Sequence, residues 1–185
     1  ESLVAAWALG AAGIQCGTAL LATKESFAHE YHKQRVIEAT EADTIHTEVF
    51  AVNWPPHSPV RVLENSVTRA ETEPTPETRA LLMAEPIATD AGRSILRTST
   101  DSPLRTTTGD LEALALFAGQ VAGQLDDLPS AQQRIEAIMA AAERTLRLLQ
   151  GSGSRIPDES EPHEYASSPC YLHEFEGLGG DDDDG

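Results

Sequence analysis

The run Gly10-Ala11-Ala12-Gly13-Ile14-Gln15-Cys16-Gly17-Thr18-Ala19-Leu20 constrains this chain more than any other. Glycines stand on both sides of one short apolar stretch. The pattern predicts a helix that ends at Gly10, a buried strand over residues 12–21, and a tight turn at Gly17 and Thr18. A Gly-Thr pair leaving a strand is a common way to present backbone N–H groups to a phosphate. Glycine lets the anion approach the backbone, and the helix that follows turns its positive end toward it. The order differs from a dinucleotide fingerprint, in which a strand, a Gly-x-Gly-x-x-Gly loop and a helix follow one another. It fits the closing strand of a (β/α)8 barrel, whose phosphate site is built by the loops after its last two strands.

Beyond this run the chain alternates between ordered stretches and punctuation. Residues 25–40 carry a helical pattern, with Phe27, Tyr31, Arg35 and Ile37 near a period of 3.6. Residues 43–52 read as extended and end at Trp54-Pro55-Pro56, because a proline steers the residue before it away from helix. Residues 70–107 are rich in Thr, Ser, Pro and Glu and read as loop, with a short helix between residues 77 and 84. Asp110 is placed to cap a helix through Leu111, Leu114, Phe117 and Ala118. Ser130 and Gln133 form a capping box ahead of a longer helix, with Ile135, Ile138, Met139, Ala142, Leu146 and Leu149 on one face and Arg144 and Arg147 in its last turn. Gly151-Ser-Gly-Ser154 reads as a linker, and residues 151–185 as a disordered acidic tail.

Several of these segments share a resemblance. Residues 13–26 and 28–35, Asp43-Thr44 through Phe50, Asn53-Trp54-Pro55, Arg61-Val-Leu-Glu-Asn-Ser66, Thr108 through Gln120 and Asp126-Asp-Leu-Pro-Ser-Ala131 resemble, in the same order, the nitronate monooxygenase family. The resemblance implies an α/β fold: the C-terminal part of a (β/α)8 TIM barrel plus the family's smaller helical C-terminal domain. Residues 1–50 would be the last helix, strand and helix of the barrel. Residues 51–150 would be a substrate-side region with two helices, part of it lying over the barrel mouth. It further implies flavin mononucleotide (FMN) as cofactor, with an alkyl nitronate and O₂ as substrates. Gly17 and Thr18 would hold the FMN phosphate, and Gln120, in the Ala118-Gly119-Gln120 segment, would approach the flavin. The family's catalytic histidine lies on an earlier barrel loop, so none of His29, His32, His46, His57, His163 or His173 is assigned as a catalytic base.

The 185 residues suffice for one domain, whereas a complete barrel needs about 250. The chain opens at Glu1 in what reads as mid-helix. The expectation is therefore a C-terminal portion of a longer enzyme, inactive by itself and prone to aggregate through its unpaired apolar strand. A related FMN barrel such as an enoyl reductase, or a non-catalytic fragment, is the alternative.

Charge excludes some partners. The net charge is −17, of which residues 151–185 contribute −9, with one basic and ten acidic residues. Nucleic acid and anionic membrane both require clustered Lys and Arg, which this chain lacks. Residues 3–22 are apolar, but three glycines, Gln15 and Thr18 interrupt them and no basic segment precedes them, so neither a membrane span nor a signal peptide fits. Two cysteines, Cys16 and Cys170, give no disulfide framework, and the chain reads as cytoplasmic. His29-Glu-Tyr-His32 misses the zinc spacing His-Glu-x-x-His by one residue and reads as a solvated helix face. Cys170 and His173, with His163 nearby, lie in the acidic tail, where nothing preorganises a metal site.

Overall fold

The computed structural model describes residues 2–69 and 76–152. The expected tail beyond them, with Cys170 and His173, lies outside the described residues.

The first helix, α1 (Ser2–Ala8), stops as its sequence predicts. Gly10 adopts φ +90°, which a side chain would oppose. Its N–H donates to Trp7 O at 2.9 Å, and the Ala11 N–H reaches back to Ala6 O at 3.0 Å. These two bonds satisfy carbonyls that a helix end leaves bare. The strand expected over residues 12–21 does not form. Residues 12–15 are exposed without regular structure, and Thr18–Leu21 is instead a single helical turn, α2. The physical reason is the lack of a partner: both sheets of the described chain are built elsewhere, and neither offers an edge to this stretch.

Helix α3 (Glu30–Glu38) starts at His29, whose Nδ1 accepts the Tyr31 N–H at 3.0 Å. It buries His32, Lys33 and Val36 rather than the Phe27–Tyr31–Arg35 stripe read from the sequence, and Phe27 remains exposed. A 3-10 turn, Glu41–Asp43, leads into β1 (Thr44–Thr47), which pairs antiparallel with β2 (Val60–Leu63), Thr44 opposite Leu63 and Thr47 opposite Val60.

Helix α4 (Pro76–Met83) falls where the short helix was expected. The loop reading of the region around it fails: β3 (Pro86–Asp90), β4 (Arg93–Leu96) and β5 (Thr107–Gly109) form an antiparallel sheet in the order β4-β3-β5. Both sheets are antiparallel, so the described chain is a mixed helix–strand α/β structure with no closed barrel.

The helix expected after Asp110 is also absent. Asp110 Oδ1 does accept the Ala113 N–H at 3.2 Å, but the chain then runs extended along β2. Leu63 N donates to Leu116 O at 2.8 Å and Ala118 N to Arg61 O at 3.3 Å. Successive side chains of this segment enter different cores. Leu114 packs with Ala88 and Ile95; Ala115 with Phe50, Val60 and Val62; Leu116 with Val36, Leu63 and Ala122. A helix would point every third or fourth residue the same way and could not supply all three clusters, so tertiary packing overrides the helical propensity of Ala and Leu here.

Helix α5 (Ala131–Ser152) opens on the expected capping box: Ser130 N donates to Gln133 Oε1 at 2.9 Å and Gln133 N to Ser130 Oγ at 3.1 Å. Half of its expected face packs inward, with Ile138 and Leu146 partly buried beside Ala142. Ala142 is buried, whereas Ile135 (51%), Met139 (49%) and Leu149 (59%) keep half of their surface in solvent. The helix continues through Gly151, so Arg144 and Arg147 lie inside it rather than in its last turn.

Candidate functional site

Two stretches a hundred residues apart meet at one surface depression. The start of α2 supplies Gly17, Thr18 and Leu21; the end of the extended segment supplies Phe117, Ala118 and Gly119; and β2 supplies Arg61. The depression is open and holds about 300 Å³. It is closed at one point by a hydrogen bond from the Gly119 N–H to Thr18 Oγ1, 2.8 Å long. Because the hydroxyl accepts this bond, its own proton remains available to a second acceptor. The Thr18 and Ala19 amides belong to the first turn of a helix and have no intrahelical acceptor.

Glycine at position 17 answers no demand of the fold. Its φ of −78° suits any residue, and a Cβ built on it meets nothing within 4 Å. A Cβ on Gly119 would touch only Thr18 Oγ1, at an ordinary 3.6 Å. What the missing side chains provide is open space against backbone N–H groups, the feature that lets a ligand approach a main chain. Gln120 stands at the start of a 3-10 turn, Gln120–Gln124, next to Gly119. It is exposed and does not line the depression.

Arg61 carries no role in the sequence reading, where it is one residue of an alternating strand. In the structure it is the charged residue lining the depression. Its Nη1 donates to Thr44 Oγ1 at 3.2 Å.

One wall is braced from behind by a buried histidine. His32 is fully buried, with Nε2 3.0 Å from Phe117 O and Nδ1 3.2 Å from Ser102 Oγ. A carbonyl only accepts, so Nε2 carries the ring proton and Nδ1 accepts from the serine. Burial, opposed by the Phe117 bond and aided by nearby Arg35, pushes the His32 pKa from 6.5 down to about 4. The ring is therefore a neutral strut rather than the solvated residue read from the sequence. His29 and His32 do not converge on a shared ligand position, since His29 Nδ1 caps α3.

A larger hollow of about 390 Å³ opens beside the start of α5, lined in part by Lys24, Asp127 and Arg134. Arg134 already pairs with Asp127 at 2.8 Å, which leaves Lys24 as the charge in the lining without an ion-pair partner among the described residues. Among the described residues no three His, Cys, Asp or Glu side chains are grouped to hold a metal ion, and no helix is long and apolar enough to cross a membrane.

Residues 1–141 match the pattern of the nitronate monooxygenase family. A probable nitronate monooxygenase of Bacillus subtilis (strain 168) is 53% identical over 47 residues, 25% of this chain and 14% of that protein. One from Staphylococcus haemolyticus (strain JCSC1435) is 49% identical over 51 residues, 28% of this chain and 14% of that protein. Among solved structures, FabK from Thermotoga maritima superposes with a TM-score of 0.58 and 28% identity, covering 80% of this chain and 42% of that one. A mutant of the same FabK gives a TM-score of 0.56 and 28% identity, covering 81% and 40%. The chain thus spans well under half the length of the relatives it matches. The family pattern runs through both walls of the depression and most of the sequence between them, and the chain belongs to the nitronate monooxygenase family.

Proposed function

We propose that this chain forms the phosphate-side wall of an FMN site in a nitronate monooxygenase that oxidises alkyl nitronates with O₂. The observation that carries the reading is the Thr18–Gly119 hydrogen bond, which joins the Gly-Thr turn to the Ala118-Gly119-Gln120 segment. Each segment had been singled out in the sequence on separate grounds. The groups that would meet a phosphate there are the Thr18 hydroxyl proton and the Thr18 amide, beside two glycines that leave open space.

In this reading Gly17 and Thr18 bind the phosphate and fix the flavin's position. Gln120 stands outside the lining and would reach the ligand only at its edge. When bound, FMN supplies the electron-transfer and O₂ chemistry; the residues here bind and orient it. The (β/α)8 barrel, the catalytic base and the rest of the phosphate site belong to segments outside this chain. Residues 1–50 would then be the barrel's last part, residues 51–150 its substrate side, and the chain alone would turn over no nitronate. The likeness to FabK over four-fifths of the chain favours a second reading, a related FMN barrel of the enoyl reductase type.

Flavin titration of the full-length protein tests the assignment. A Cβ at Gly17 meets no protein atom within 4 Å and the residue's φ of −78° suits any side chain, so Gly17→Val should fold and its loss should fall on the ligand. Losing two or three charge-assisted N–H bonds, each worth about 1.5–3 kcal/mol, weakens FMN binding by roughly a hundredfold or more. Cys16→Ala, beside the turn, is the control. Equal losses in both variants, or none in Gly17→Val, would remove the phosphate assignment. O₂ uptake with an alkyl nitronate, set against NAD(P)H-driven reduction of an enoyl thioester, separates the two enzyme readings.

A further inference from the structure

We propose that the face formed by α1, residues 9–16 and the adjoining side of α5 is an interface between two copies of this chain, related by a twofold axis. This interface is independent of the FMN reading above. Trp7 and Leu9 are 63% and 90% exposed, and Ile14 and Met139 stand about half in solvent. Between α1 and α5 runs an apolar groove of about 210 Å³, lined in part by Val4, Trp7, Ala12, Met139 and Leu146. Single exposed apolar residues are ordinary, but a contiguous patch of them marks a contact surface. The backbone adds to the side chains. Among the described residues no hydrogen bond reaches an N–H or C=O of residues 12–16. Five consecutive residues with open donors and acceptors are a place where a strand can add.

Charge selects the occupant. The chain carries a net −17, so two copies repel one another over most of their surface. Residues 2–23 contain no Asp, Glu, Lys, Arg or His. The carboxylate in the groove lining, Glu143, is matched by Arg147 at 3.4 Å. Two acidic copies therefore meet on this face without bringing like charges together, whereas a basic partner would find no counter-charge on it. A twofold axis sets residues 12–16 of one copy antiparallel to the same residues of the other, so the open donors and acceptors of each satisfy those of its partner. Because both copies use the same face, association closes at two.

The test is the mass of the full chain in solution, followed by sedimentation over a range of concentrations at low and high salt, together with amide hydrogen exchange. A dimer is expected, tighter at high salt because screening relieves the repulsion between acidic copies. The amides of residues 12–16 are expected to become protected as it forms. Leu9 is almost wholly exposed, so Leu9→Glu leaves the fold intact. By setting carboxylates into an apolar contact it is expected to raise the dimer dissociation constant about tenfold or more. Leu81→Glu, on α4 at 74% exposure, is the control and is expected to leave the dimer unchanged. A monomer at every concentration would overturn the interface, as would a dimer that Leu81→Glu breaks and Leu9→Glu does not. Open-ended growth in mass would overturn the closed twofold contact. Protection of residues 12–16 in a monomer would give the face to the chain's own residues 153–185 and overturn it as well.

Discussion

His32 should make the stability of this protein fall with pH well before its carboxylates titrate. In the folded chain the ring is buried between Phe117 O and Ser102 Oγ with its pKa lowered to about 4, whereas in the unfolded chain it returns to 6.5. Between those values the unfolded state binds a proton that the native state refuses. Stability is therefore unaffected above about pH 7, declines as pH drops through 6.5, and reaches its full loss near pH 4. At ~1.36 kcal/mol for each tenfold change, the whole effect is roughly 3 kcal/mol, with about 2.5 of it lost by pH 4.5. Asp101 is held below the ordinary carboxylate range, chiefly by the Arg93 hydrogen bond, and loses its contribution only at lower pH. Asp43 and Glu85 are likewise held low by hydrogen bonds, so a window from pH 5.5 to 7.5 isolates the histidine. Urea unfolding across it should show a steadily falling midpoint with a constant slope, and His32→Gln, less stable at pH 7.5, should be nearly flat. A wild-type midpoint that stays level, or a variant that falls in parallel, would refute the account of a buried neutral strut.

Two further outcomes follow from close contacts. A Cβ at Gly123 would stand 2.6 Å from Glu41 N, a backbone atom that cannot step aside, so Gly123→Ala should lower unfolding free energy by about 1–3 kcal/mol, while Gly13→Ala, with nothing within 4 Å, should be near neutral in the same urea melts. Thr18→Val removes the acceptor of the Gly119 N–H and should cost about 1–2 kcal/mol of stability without any flavin present, whereas Thr18→Ser keeps the bond and should melt like the wild type.

The sequence made some parts of this fold legible and hid others for identifiable reasons. Local chemistry survived intact: Gly10 ends α1, and Ser130 with Gln133 starts α5, because each depends on atoms within a few residues. The hairpin between β3 and β4 was hidden by its turn. Ala91 and Gly92 both take positive φ, 48° and 83°, in a position where Asn-Gly would be the recognisable signal. The extended segment at residues 113–118 was hidden by composition, since Leu and Ala favour helix until three cores compete for their side chains. The apolar stretch at residues 12–16 reads as a strand, yet pairing depends on a neighbour that its own residues cannot specify. For the candidate site, glycine spacing singles out Gly17 and Thr18, and both line one depression. Arg61 was not legible, because a residue of an alternating strand shows its place beside that depression only in three dimensions.

The segment at residues 113–118 also sets a schedule for synthesis. Val36, Phe50 and Leu63 are made well before the side chains that complete their clusters, which follow up to about 55 residues after Leu63. At roughly 5–20 residues per second, that is about 3–10 s during which half-built apolar surface faces solvent. These clusters cannot close until that segment has been made. Its yield should depend on chaperone supply and expression temperature more than on the final stability of the folded protein, and truncations that end before Ala118 should be degraded or insoluble whatever else they retain.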